Sequence, residues 1–129
     1  MHIGALRGQQ VVPDAFFWGL HVGIFPIWIP VVIVSKKLGK DAQSKQDSWK
    51  VVLKDALDWM RYMVYGFFAY AFVNFAIFMV QAPAKQPPGS PPPMVWRGFS
   101  GHWMVFYSAA MAVLYSAANY GKSGRDEAL

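Results

Sequence analysis

Three stretches of this chain contain no Asp, Glu, Lys or Arg: Ala15–Val34 over 20 residues, Tyr62–Val80 over 19 and Phe99–Ala118 over 20. A helix rises 1.5 Å per residue, so about 20 residues cross a hydrocarbon layer of about 30 Å. A helix on a water-facing bundle keeps a polar stripe, and these blocks leave none. The expected fold is therefore an all-α integral membrane protein with three transmembrane helices, built as a single membrane domain over residues 1–129. Only 15% of residues are charged, against about 25% in an ordinary soluble domain, too few to solvate a surface. A soluble enzyme, a disordered tail and a nucleic-acid module are excluded on this ground. The chain has no cysteine, which removes disulfides, thiolate metal sites and Cys nucleophiles.

The first block reads as a retained span. Arg7 is the one basic residue before it, the apolar run is long for a signal peptide, and no small-residue cleavage site precedes Lys36. Trp18, Trp59, Tyr62, Trp96, Trp103 and Tyr120 fall near the ends of the blocks, as an interfacial aromatic belt requires.

Basic residues set the orientation. Lys36, Lys37, Lys40, Lys45, Lys50, Lys54 and Arg61 lie between the first two blocks, and Lys122 and Arg125 follow the third. Arg7, Lys85 and Arg97 lie on the other side. The positive-inside rule then places the N-terminus outside and the C-terminus in the cytoplasm, in the manner of a multi-pass protein of a bacterial inner membrane. The net charge of +5 is concentrated in one cytoplasmic loop, which would attract anionic headgroups and is not a nucleic-acid signal.

Residues 44–60 read as an amphipathic cytoplasmic helix preceding the second span. Trp49, Val52, Leu53, Ala56, Leu57 and Met60 follow a helical period, opposite Asp47, Lys50, Lys54, Asp55 and Asp58. Such a helix would lie on the inner leaflet or present Trp49, Leu53 and Met60 to a partner. Residues 81–96 form the outside loop, with the run Gln86-Pro87-Pro88-Gly89-Ser90-Pro91-Pro92-Pro93. Proline has no N–H to donate, so this run predicts an extended connector or strap.

No charged residue falls within the blocks, and no nucleophile–base arrangement or phosphate-binding loop is present. The chain is therefore not expected to be an enzyme on its own. Gly19, Gly23, Pro26 and Pro30 share one face of the first helix and predict the stripe on which another helix packs closely. Ser108, Ala109, Ala112 and Ser116 form a similar small-residue stripe in the third. His21 falls opposite the first stripe, among Phe17, Phe25 and Trp28, and is expected to be covered by a partner, a hydrogen-bonding group or a cofactor. His102 sits near the edge of the second stripe, with Ser100 as the expected helix cap and Gly101 permitting close approach. Together His21 and His102 are the candidate ligands for a haem or chlorophyll-type pigment, with a quinone contact as a further option at His21. The leading functional expectation is a non-catalytic accessory subunit that packs on larger membrane subunits of an energy-converting or redox assembly. The alternatives are a haem- or chlorophyll-binding electron-transfer or light-harvesting subunit, and a small homo-oligomeric channel.

Overall fold

The computed structural model describes residues 2–7, 12–41, 48–81 and 93–120, and these are helical with short connections and no strand. Five α-helices follow in order: α1 His2–Leu6, α2 Asp14–Leu38, α3 Ser48–Val52, α4 Asp58–Gln81 and α5 Pro93–Asn119, with a 3-10 turn at Gly39–Asp41. Asp14 and Asp58 stand in the first turns of α2 and α4, and Lys36 and Lys37 in the last turn of α2, each sign suited to the helix dipole. The three charge-free blocks lie within α2, α4 and α5, and each helix exceeds the block inside it.

Two of these helices, α2 and α4, are long and apolar enough to cross a membrane. Only 11% of the most apolar stretch of α2 and 17% of that of α4 is buried within the chain. A core helix of a water-soluble protein would be mostly covered. Here Phe16, Val22, Phe25, Ile29, Phe68, Phe72 and Met79 stand outward.

Residues form two compact units, one from Met1–Ile24 with Tyr65–Phe106 and the other from Phe25–Val64 with Tyr107–Leu129. In the first unit the most enclosed side chain is Phe17. Its ring lies 4.3 Å from that of Trp96, 4.9 Å from Trp103 and 5.9 Å from Phe99. Such aromatic clusters combine large buried area with favourable edge-to-face geometry. In the second unit Val31, Leu38, Leu53, Met60 and Val64 close over Ala109, Ala112 and Val113. Ala112, Val113 and Ser116 have no exposed surface, so three of α5's small side chains set how near its neighbours come.

Two expectations are corrected here. The amphipathic segment 44–60 is not one helix: residues 44–47 lie outside the described residues, α3 ends at Val52, and a turn leads into α4 at Asp58. Within it Lys54 N–H bonds the Val51 carbonyl at 3.2 Å and Ala56 N–H the Leu53 carbonyl at 3.1 Å. Asp55 N–H donates to Ser116 Oγ at 3.1 Å, so α5 supplies the partner that a continuing helix would have used. Leu53 and Met60 consequently point into the core and are buried; they are not a surface for a partner. Trp49 stays partly exposed.

The second correction concerns the packed face of α2. Nothing lies within 4 Å of a Cβ built on Gly19, and Pro26 and Pro30 are exposed while Gly23 is half-buried. In the first unit Phe17 and His21 turn inward, and in the second Trp28, Val31 and Leu38 do. Bulky side chains make more short-range dispersion contacts than glycine and proline can, and the face carrying them is the one that packs. By contrast Ser108, Ala109, Ala112 and Ser116 are all buried.

Thermal unfolding of the purified chain in detergent should therefore separate the two stripes. Ala112→Leu overfills a fully enclosed site and is expected to destabilise by about 1–3 kcal/mol. Gly19→Leu, which meets open space, is expected to leave the melting temperature unchanged or raised.

Candidate functional site

The polar chemistry of the first unit gathers where α5 begins. The helix starts at Pro93, a residue suited to a first turn because the N–H it lacks has no helical partner there. Arg97 and Ser100 are thus inside the helix, and Ser100 is not its cap. Residues 82–92, which hold most of the proline-rich run, lie outside the described residues.

Asn74 of α4 is buried and meets Arg97 twice. Its Nδ2 donates to the Arg97 carbonyl at 2.9 Å, and Arg97 Nε donates to Asn74 Oδ1 at 2.9 Å. A Cβ on Gly101 would stand 2.8 Å from Asn74 Nδ2, and one on Gly98 would stand 3.4 Å from the Phe78 ring. The two glycines let α4 come close enough for Asn74 to reach the α5 backbone. Without them this amide would be a buried polar group with no partner, at a cost of about 1–3 kcal/mol.

His2 of α1 is held at the same end. Its Nδ1 bonds Ser100 Oγ and its Nε2 bonds the Tyr70 hydroxyl, and its ring stands edge-on to Tyr70. Ser100 Oγ in turn donates to the Arg97 carbonyl at 3.1 Å. Proton bookkeeping then makes Nδ1 the donor to Ser100 and Nε2 the acceptor from Tyr70. Burial, and then the positive charge of Arg97, lower the pKa of His2 below its ordinary 6.5. Sequence reasoning took Ser100 as a helix cap and Arg97 as an outside charge, and found no structural partner for His2 or Arg97. They lie outside the apolar blocks, and nothing in their spacing shows that α1 folds back.

His21 and His102 do come together, as walls of one cavity of about 180 Å³. His21 Nδ1 accepts from Trp103 Nε1 at 3.5 Å, and its ring stands edge-on to Phe99 with centroids 5.1 Å apart. His102 Nδ1 lies 2.9 Å from the Gly98 carbonyl, one helical turn back, and its ring stands edge-on to Phe75. The carbonyl cannot donate, so His102 Nδ1 carries the proton. Phe78, Trp103 and Phe106 complete the aromatic wall.

The cavity is below the roughly 300 Å³ at which drug-sized ligand sites begin. Among the described residues no group of three or more His, Cys, Asp or Glu is placed to hold a metal ion. No protein-family model, no curated protein and no solved structure matches the chain. The reading of this end of the molecule therefore rests on its geometry.

Two outcomes check that geometry. Gly101→Ala should force Asn74 away from the α5 backbone and destabilise the chain by about 1–3 kcal/mol in a thermal melt. Gly66→Ala, with nothing within 4 Å of the new methyl, should be neutral or stabilising. For His2, a lowered pKa means that the folded state disfavours its protonation. Its contribution to stability is fully present above pH 6.5 and falls as the pH drops through 6.5 towards the folded value. NMR titration in detergent should give an imidazole midpoint below 6.5; a midpoint at or above it contradicts the contact.

Proposed function

We propose that the chain is an accessory, non-catalytic subunit of a larger membrane assembly, crossing the bilayer three times through α2, α4 and α5. One observation carries the membrane part: the two most apolar helices bury only 11% and 17% of their most apolar stretches within the chain. Water does not tolerate apolar faces of this extent on a soluble protein, whereas lipid or a neighbouring membrane subunit does. The third span, α5, is less apolar because it supplies the Gly, Ser and Ala residues on which the others pack, and helices in lipid associate through such small residues.

Its termini lie N-out and C-in, with Lys36, Lys37, Lys40, Lys50 and Lys54 on the cytoplasmic side beside anionic headgroups, in the manner of a bacterial inner membrane protein. Packing on a larger subunit is supported by the α2 face that carries exposed Gly19, Pro26 and Pro30 and half-buried Gly23. The chain itself leaves Gly19 uncovered, and glycine at such a face lets a second backbone approach. A small-residue face with apolar flanks is a poor water channel and carries no catalytic group, which favours a structural role.

Topology is tested by cysteine placed at position 90 or 123 of this cysteine-free chain. An impermeant reagent should label Ser90→Cys in intact cells and Ser123→Cys only after permeabilisation. Assembly is tested by gentle extraction from the native membrane. The chain should migrate with larger subunits, and Gly19→Leu should release it while leaving its own melt unchanged. A chain that migrates alone in the wild type contradicts the accessory role.

A further inference from the structure

The aromatic cavity of the first unit has a size, an aromatic wall and two imidazoles, His21 and His102, that together define a ligand. Size comes first. An apolar cavity of about 150 Å³ stays dry and takes benzene, so the 180 Å³ here matches one six-membered ring with substituents. The wall is next. Phe75, Phe99 and Trp103 present edges and faces to the space, a surface that favours a flat aromatic guest through offset and edge-to-face contacts.

His21 Nδ1 already accepts from Trp103, and His102 offers an acceptor at Nε2. Because its Nδ1–H is committed to the Gly98 carbonyl, the neutral ring keeps its lone pair on Nε2. The hydrogen bond of this ring is made by Nδ1, and His102 lines the cavity. A water molecule in an apolar space needs two to four polar partners and would find few beside this one. A guest with a single well-placed O–H would satisfy Nε2 and bring its own apolar body.

We propose that this cavity binds a membrane-soluble phenol, the class that includes single-ring hydroquinones, with the ring among Phe75, Phe99 and Trp103 and the hydroxyl donating to His102 Nε2. The oxidised quinone of the same ring has no proton to donate and binds more weakly. The site sits within the first unit and does not depend on the accessory role, since binding is read on the chain alone.

The experiment is equilibrium binding to the purified full chain in detergent, using a para-alkylphenol and its methyl ether, with the saturable component separated from micelle partition. The ether keeps the ring and loses the donor. The phenol should bind saturably and roughly tenfold tighter than the ether, the ratio expected from one hydrogen bond of about 1.4 kcal/mol. In His102→Phe the phenol should fall to the affinity of the ether, and the ether should be unchanged. Ile24→Trp, which fills the space, should remove the saturable binding of both. Equal affinity of phenol and ether for the wild type overturns the proposal and leaves a plain hydrophobic slot. Absence of saturable phenol binding, or a phenol preference that survives His102→Phe, also overturns it. The wild-type comparison decides the matter even if His102→Phe does not fold.

Discussion

Close approach to the backbone of α5 is the interaction on which both units depend. In one, Gly98 and Gly101 admit Phe78 and Asn74; in the other, Ala109, Ala112 and Ser116 admit Val31, Leu53 and the turn before α4. Helices surrounded by hydrocarbon gain little from burying apolar surface against one another, since lipid is as apolar as leucine. What remains is dispersion at short range and hydrogen bonds between helices. A helix lined with Gly, Ala and Ser delivers both, because a small side chain lowers the distance and a hydroxyl or exposed carbonyl then falls within reach. Ser116 accepting from Asp55 N–H and the Arg97 carbonyl accepting from Asn74 are the two clearest instances.

The same logic explains where the polar groups are. Asn74 lies deep in an otherwise apolar helix, and an amide there is tolerated only when its donor and acceptor are both used. Arg97 uses both, one through its main chain and one through its side chain. Ser100 and His2 continue this chemistry towards Tyr70. The result is a polar network at the start of α5 beside an aromatic cavity lined by His21 and His102. One end of the first unit thus pairs a hydrogen-bonded network with an aromatic cavity.

The helices themselves were legible because a charge-free block of about 20 residues has few other fates. Their ends were not. Pro93 and Arg97 looked like loop because they follow a proline run and carry charge, yet proline suits a first helical turn and Arg97 finds Asn74. The small-residue stripe of α5 was legible as a packing face and its members are buried. On α2 the same reasoning chose the glycines and prolines, whereas the chain buries Phe17, Trp28 and Val31 and leaves Gly19 open. A small-residue motif says that a helix can be approached closely; it does not say by whom. The period through Trp49, Leu53 and Met60 correctly grouped Leu53 with Met60 but implied a free amphipathic helix. Periodicity marks the side that is buried and carries no information on what buries it. His21 and His102 were singled out together, and they share a cavity. Its volume was not readable from spacing.

The claim that most else rests on is that the outward faces of α2 and α4 meet hydrocarbon or a membrane partner and not water. Spin labels placed singly at Val22, Phe25, Ile29 and Phe72 in the reconstituted chain measure this directly, by their collision rates with oxygen and with a water-soluble nickel chelate. Oxygen, which concentrates in lipid, should relax these labels strongly and the chelate hardly at all. Labels at Lys36 and Lys54 should show the reverse. Ready access of the chelate to Phe25 and Phe72 would mean that these faces lie in water, and the membrane account of the chain would fail.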